Sequence, residues 1–262
     1  MSFKVAASDF DGTIYRGEKI SDDDIAAVRA WRAAGNKFGI VTGRPVIMLA
    51  PQLKTLGLDV DFFICCNGAV IYDIDGRTVF ETALTKNILR DVINEPCASK
   101  SYHFAFEAAD EIFCVIQSDK SWILREESRW KFPVEFIDVA QVPTIPEPIN
   151  QLALGFDTPD EAQAAADVLN RKFGNELFAQ KNTHSLDIVP AGVNKGSGVE
   201  NLLRFMNWRG AKIFVVGDES NDLPMIKKFG GYTVATAKDF VKREATAVFD
   251  SVGDMLNNFR DN

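Results

Sequence analysis

The chain has 262 residues, 46% hydrophobic and 25% charged, which is the profile of a folded globular protein with one large domain or two ordinary ones. Its 29 basic and 37 acidic side chains leave a net charge of -8, which argues against a nucleic-acid binder but allows a small anionic substrate held by a few placed cations or a metal. Cys65, Cys66, Cys97 and Cys114 form no C-x-x-C pair and read as buried reduced thiols, not as zinc ligands or a disulfide framework.

Residues 3–7 form an apolar run that leads into two carboxylates one residue apart, Asp9 and Asp11, followed by Gly12 and Thr13, with the strand reaching residue 10. The run predicts a buried strand, and two carboxylates at its end are costly unless something pairs them. Ser21 then predicts a helix N-cap, with Asp22, Asp23 and Asp24 in the first turn and Gly35 as the stop. Residues 37–41 predict a second strand, which closes on Thr42-Gly43-Arg44 before Pro45 opens another helix. A third strand over 62–66 ends at Asn67-Gly68. A hairpin follows, 70–72 and 78–80 around Asp75-Gly76. No long apolar segment precedes Asp9, so no signal peptide is expected, and the apolar stretch 62–72 is broken and too short to span a bilayer. A cytoplasmic protein with no membrane partner is expected.

From residue 83 the pattern changes. A helix is predicted over 85–98, an antiparallel pair over 102–106 and 112–116, and a loop marked by Pro143, Pro146 and Pro148. A strand over 151–156, a helix over 160–173 and two short strands near 177–178 and 186–189 complete an inserted α+β segment. The first pattern resumes with Gly192-Val193-Asn194-Lys195-Gly196 opening a helix. A strand over 211–216 ends at Gly217-Asp218-Glu219-Ser220-Asn221-Asp222. A short helix, a strand over 232–235 and a last helix over 252–259 follow. The expected fold class is therefore α/β: a doubly wound, Rossmann-like parallel sheet formed by residues 1–82 and 190–262, with an inserted α+β domain over 83–189.

In an open parallel sheet, ligands bind beyond the carboxyl ends of the strands. Asp9 and Asp11, Thr42, Asn67, and Asp218 and Asp222 all stand at such ends, so residues distant in sequence are expected to converge. Four carboxylates brought together raise one another's pKa unless a cation joins them. Oxygen-only ligands suit magnesium, and Lys195 at a helix start supplies a second positive charge.

Asp9-Phe10-Asp11-Gly12-Thr13, Val41-Thr42-Gly43-Arg44, Lys195 and Gly217-Asp218-Glu219-Ser220-Asn221-Asp222 occur in the order of the haloacid dehalogenase superfamily. Cys66-Asn67-Gly68-Ala69, the inserted domain and residues 192–196 narrow the resemblance to its Cof-type phosphatases. That resemblance implies a magnesium-dependent phosphatase acting on small phosphomonoesters, largely sugar phosphates. Asp9 is then the nucleophile that forms an aspartyl-phosphate, and Asp11 the general acid and base. Thr42 binds the transferring group, and Lys195 offsets its charge. The resemblance assigns magnesium to Asp9, Asp11 through its backbone carbonyl, Asp218 and Asp222. Asp222 has an outer role, orienting waters or Lys195. Gly12, Gly43, Arg44, Asn67, Gly68 and Asn221 fall on the substrate side. The inserted domain is then a cap that selects substrate, in which His184 is a candidate contact or an ordinary surface histidine.

Other readings fit less well. As a calcium loop, 9–20 has its glycine at position four and Ile20 where a glutamate is needed. Gly196-Ser197-Gly198 lacks the third glycine of a dinucleotide fingerprint, because position 201 is Asn. A phosphosugar mutase of the same superfamily, passing the aspartyl-phosphate to a second hydroxyl, is the alternative enzyme. A catalytically idle phosphate- or metal-binding regulator is the alternative outside enzymes. Oligomeric state has no sequence signal.

Overall fold

In the computed structural model, which describes residues 3–145 and 148–260, the first element is strand β1 (Lys4–Ser8). Helix α1 (Asp22–Ala33) starts where Ser21 accepts from the Asp24 amide, as its cap sequence predicts. β2 (Lys37–Val41), α2 (Val46–Leu56), β3 (Phe62–Cys65), β4 (Val70–Asp73) and β5 (Thr78–Glu81) follow. The middle of the chain holds α3 (Lys86–Ile93), β6 (His103–Glu107), β7 (Ile112–Ile116), α4 (Trp122–Trp130), β8 (Glu135–Phe136), β9 (Gln151–Gly155), α5 (Pro159–Phe173), β10 (Leu177–Asn182) and β11 (Ser185–Pro190). The last part holds α6 (Lys195–Phe205), β12 (Lys212–Val216), α7 (Leu223–Phe229), β13 (Thr233–Val234), α8 (Asp239–Glu244), β14 (Val248–Phe249) and α9 (Val252–Arg260). Among the described residues, no helix is long and apolar enough to cross a membrane.

The chain divides into two units. One runs up to Gly43, then takes Gln52–Phe80 and everything from Asn194 onwards; the other comprises Arg44–Pro51 and Glu81–Val193. In the first unit the sheet order is β12-β1-β2-β3-β4-β5, parallel from β12 to β3, with β4 antiparallel to β3. Its strands are apolar almost without interruption. Val5, Ala7, Ile40, Val41, Phe62, Ile64, Val215 and Val216 are all fully buried, as expected for a sheet covered on both faces. Each large side chain removed from water in this way contributes about 1.5–3 kcal/mol. Trp31 of α1 meets Phe214 of β12 edge to face at 5.6 Å.

In the second unit the order is β10-β11-β9-β6-β7-β8. Alternation along the strands sends Phe104, Phe106, Leu152, Leu154, Leu186 and Ile188 to one face, where α3 and α5 cover them. A smaller apolar cluster joins Ala105, Ile112, Cys114 and Ala153 to Ile123, Phe132 and Met48. α3 is shorter than the predicted 85–98: Thr85 caps it, but the chain turns at Asn94 and Pro96 follows. α4, β8, α8 and β14 have no counterpart in the sequence reading. Ser121 makes no side-chain cap for α4, and charged residues break its apolar spacing. Of the predicted proline loop, Pro143 lies in a 3-10 turn over Val139–Thr144, whereas Pro146 falls outside the described residues.

One buried titratable group in this unit has a stability consequence. His103 is fully buried, with Nδ1 2.9 Å from the Ser121 hydroxyl and Nε2 without a partner. Burial lowers its pKa from the ordinary 6.5 to about 3. A folded-state pKa below the unfolded value stabilises the protein above pH 6.5, and that contribution is lost as pH falls towards 3. His103→Asn should therefore flatten the decline of the melting temperature between pH 6.5 and 4, whatever it does to the melting temperature at pH 7. Parallel pH profiles for the two proteins would contradict this.

Candidate active site

The site is built where strands of the first unit end. The Asp9 amide donates to Val216 O at 2.9 Å, so β1 delivers Asp9 beside the end of β12. Beyond it, Gly12 has φ +85°, and a Cβ there would come within 2.3 Å of the Asp218 carboxylate. The missing side chain lets the loop close on Asp218, and Thr13 Oγ1 donates to Asp218 Oδ1 at 2.6 Å.

Lys195 is the first residue of α6, which Asn194 caps by accepting from the Ser197 amide at 2.9 Å. Its ammonium donates to Asp9 Oδ1 at 2.6 Å and to Asp222 Oδ1 at 2.7 Å, and all three side chains are buried. The other oxygen of Asp222 accepts from the Asp218 and Glu219 amides, both at 2.9 Å. α6 approaches this closely because of the turn after β3. Cys66, Asn67 and Gly68 all have positive φ, and a Cβ on Gly68 would lie 2.5 Å from Asn194 O. Non-glycine residues in that conformation cost about 1–3 kcal/mol each, a strain that clusters at functional sites. The Asn67 amide donates to Thr42 O at 2.9 Å, and Asn67 Oδ1 accepts from Asn221 Nδ2 at 3.2 Å.

Electrostatics mark the same residues. Burial, then Asp222 and Asp218, hold the Asp9 carboxyl well above the usual range, with Lys195 opposing them. Burial also raises Asp218, which Thr13 partly offsets. Burial alone would push the Lys195 ammonium down, but Asp222 and Asp9 more than offset it, so the ammonium is held charged.

Asp9, Lys195, Asp218 and Asp222 thus come together, and Thr42, Asn67 and Asn221 are linked at the adjoining strand ends. Asp11 is exposed, in the loop after β1, where it bridges to Tyr15. Arg44 falls in the second unit, where it pairs with Glu126 at 3.3 Å. His184 is exposed in the β10–β11 turn. Thr13 stands in the first motif, but nothing in the sequence marks it as the group that orients Asp218.

Ligand atoms of Asp9, Asp218 and Asp222 lie within 4.8 Å of one another. Three carboxylates face one ammonium, and two of them have raised pKa values. An all-oxygen set with uncompensated negative charge fits a hard divalent cation. Of the three, Asp9 and Asp218 could hold such a cation, since Lys195 and two amides occupy the oxygens of Asp222.

A model of the haloacid dehalogenase-like hydrolases matches residues 6–254. The chain belongs to that family. This hydrolase is 28% identical over 272 residues to pyridoxal phosphate phosphatase YbhA of Escherichia coli, covering 99% of this chain and 98% of that one. It is 25% identical over 255 residues to 5-amino-6-(5-phospho-D-ribitylamino)uracil phosphatase YcsE of Bacillus subtilis, covering 96% and 91%. The crystal structure of a HAD/COF-like hydrolase from Plasmodium vivax superposes with a TM-score of 0.84 at 21% identity, covering 99% of this chain and 96% of that one.

Removing the ammonium exposes the balance of charge. Lys195→Met leaves buried carboxylates unpaired and should lower the unfolding free energy by about 3–5 kcal/mol at pH 8. Asp9 and Asp218 have folded pKa values above their ordinary ones, so their cost to stability grows as pH rises and disappears as they protonate. The loss should therefore be smaller at pH 5. Urea unfolding at both pH values checks this, and an equal loss at both would contradict it.

Proposed function

We propose that this hydrolase is a magnesium-dependent phosphatase that releases phosphate from small phosphomonoesters through an aspartyl-phosphate on Asp9. The observation that carries the reading is the buried Lys195 ammonium, which joins Asp9 to Asp222 beside Asp218. A lysine in that place orients the nucleophile and offsets the charge on the incoming phosphoryl group.

The chemistry follows in two steps. The Asp9 carboxylate attacks phosphorus while the bond to the leaving oxygen breaks, and Asp11 gives that oxygen its proton. Asp11 then takes a proton from water, water attacks phosphorus, and the bond to Asp9 breaks to release phosphate. Thr42, Gly12, Gly43 and Asn221 serve the phosphoryl oxygens. Asn67 and Gly68 shape the rim, and Arg44 acts towards the rest of the substrate. Asp222 positions Lys195 and the 218–219 backbone. Asp9, Asp218 and the Asp11 carbonyl would hold magnesium, which when bound neutralises charge on the phosphoryl group.

The inserted unit carries substrate selection in this reading. The substrate is a small phosphorylated metabolite, a sugar phosphate or a compound like those named for the relatives, pyridoxal phosphate among them. Water is the acceptor, so the mutase reading is the second choice.

Phosphate release should require both the carboxylate and the metal. Asp9→Asn keeps the side chain's volume, so its thermal unfolding should show an intact fold while turnover falls by about a thousandfold or more. Excess chelator should stop the unaltered enzyme, and added magnesium should restore it. Assays on sugar phosphates, pyridoxal phosphate and an aryl phosphate check both. Hydrolysis by Asp9→Asn at near the unaltered rate, or full activity in chelator, would overturn the assignment.

A further inference from the structure

Asp11 is exposed, in the loop that leaves β1, so the backbone of that loop helps set where its carboxyl stands. Its backbone is tied to Tyr15. The Gly12 amide donates to Tyr15 O at 2.9 Å, and the Tyr15 amide to Phe10 O at 2.8 Å. The Tyr15 ring stacks on that of buried Phe10 with centroids 4.9 Å apart and planes 3° from parallel. Arg16 follows directly and pairs with Lys19 across a two-residue turn, Gly17-Glu18, with φ +56° and +64°.

The Arg16 side chain then leaves the loop. One nitrogen donates to Asp24 Oδ2 at 3.2 Å and another to Asp250 O at 2.9 Å. Asp24 is fully buried in the first turn of α1. It also accepts from the Ser21 hydroxyl at 2.7 Å and from the Gly253 amide, at the start of α9, at 2.6 Å. Asp24 therefore keeps two hydrogen-bond partners without Arg16, although its buried charge then loses the Arg16 cation. What Arg16 adds is a two-point tie between the loop and the ends of α1 and α9. At the other end of the segment, Thr13 ties the loop to Asp218.

We infer that Arg16 is a positioning residue for Asp11: it anchors the 11–19 loop, in which Asp11 pairs with Tyr15 and Arg16 with Lys19, so that the Asp11 carboxyl meets the leaving-group oxygen. The inference rests on the proposed phosphatase reading. It has a signature that a merely structural role lacks. In the first step the bond from phosphorus to the leaving oxygen breaks as the bond to Asp9 forms, and the Asp11 proton goes to the departing oxygen. An alkoxide needs that proton, whereas an aryl oxide leaves without it. kcat/KM reports this step, so misplaced Asp11 should penalise alkyl phosphates selectively.

The test compares kcat/KM for a sugar or other alkyl phosphate with that for an aryl phosphate in the unaltered enzyme, Arg16→Ala, Arg16→Lys and Asp11→Asn. In Arg16→Ala the alkyl-to-aryl ratio should fall about tenfold or more, since small misplacements of a catalytic group are costly. Asp11→Asn should shift the ratio in the same direction and further. Arg16→Lys keeps a cation over Asp24 and should recover part of the ratio, which separates positioning from damage to the fold. An unchanged ratio in Arg16→Ala overturns the inference alone, provided the unaltered enzyme hydrolyses both compounds. No hydrolysis by the unaltered enzyme overturns the phosphatase reading and this inference together.

Discussion

A buried ammonium between two buried carboxylates is the interaction on which the rest of the site depends. Taking any of these ions out of water costs several kcal/mol, and a single ion pair seldom recovers that cost. Lys195 recovers it by bonding Asp9 and Asp222 together, while Asp222 uses its second oxygen to hold two amides of the 217–222 loop. One cation thus sets the direction of the nucleophile candidate and the shape of the loop that presents Asp218. Even so the charges do not balance, and burial first, then the neighbouring carboxylates, raise the pKa values of Asp9 and Asp218. The protein holds a standing deficit of positive charge where the proposed reaction brings in a metal and a phosphoryl group.

Topology makes the arrangement affordable in backbone terms. β1 and β12 are neighbours in register, Ser8 opposite Val216, so Asp9 and the 217–222 loop leave the sheet side by side although some two hundred residues separate them. β2 and β3 do the same for Thr42 and Asn67. The strain of three successive positive φ angles at 66–68 brings α6 close to the sheet, which places Lys195. Glycine at 68 is required there for contact as well as for conformation. The inserted segment enters after β5 and leaves before α6, so its length does not disturb the strand ends that form the site.

Much of this was legible in the sequence because each element of the core announces itself twice. An apolar run marks a strand, and a polar motif at its carboxyl end marks the site. The cap at Ser21 was legible for the same reason, because its side-chain chemistry is local. Elements without a local signal were not. α4 lacks a side-chain cap and carries charges through its middle, and β14 is two residues long and exists by pairing with β13. In the site, Asp9, Lys195, Asp218 and Asp222, which the structure brings together, could be named from their motifs. The supporting contacts could not, because Thr13 to Asp218, Asn221 to Asn67 and Arg16 to Asp24 join segments that only the fold brings together. Arg44 shows the same limit from the other side: its neighbour in sequence is Gly43, yet its ion pair is with Glu126.

The central claim is that the Asp9 carboxylate becomes covalently phosphorylated. The most direct measurement is to quench the enzyme during turnover of a good substrate, reduce any acyl phosphate with borohydride, and map the product by peptide mass spectrometry. The account predicts homoserine at position 9, formed only when substrate and magnesium are both present. An unmodified Asp9 in enzyme trapped under those conditions while turning over, or a reduced residue at any other position, would contradict it.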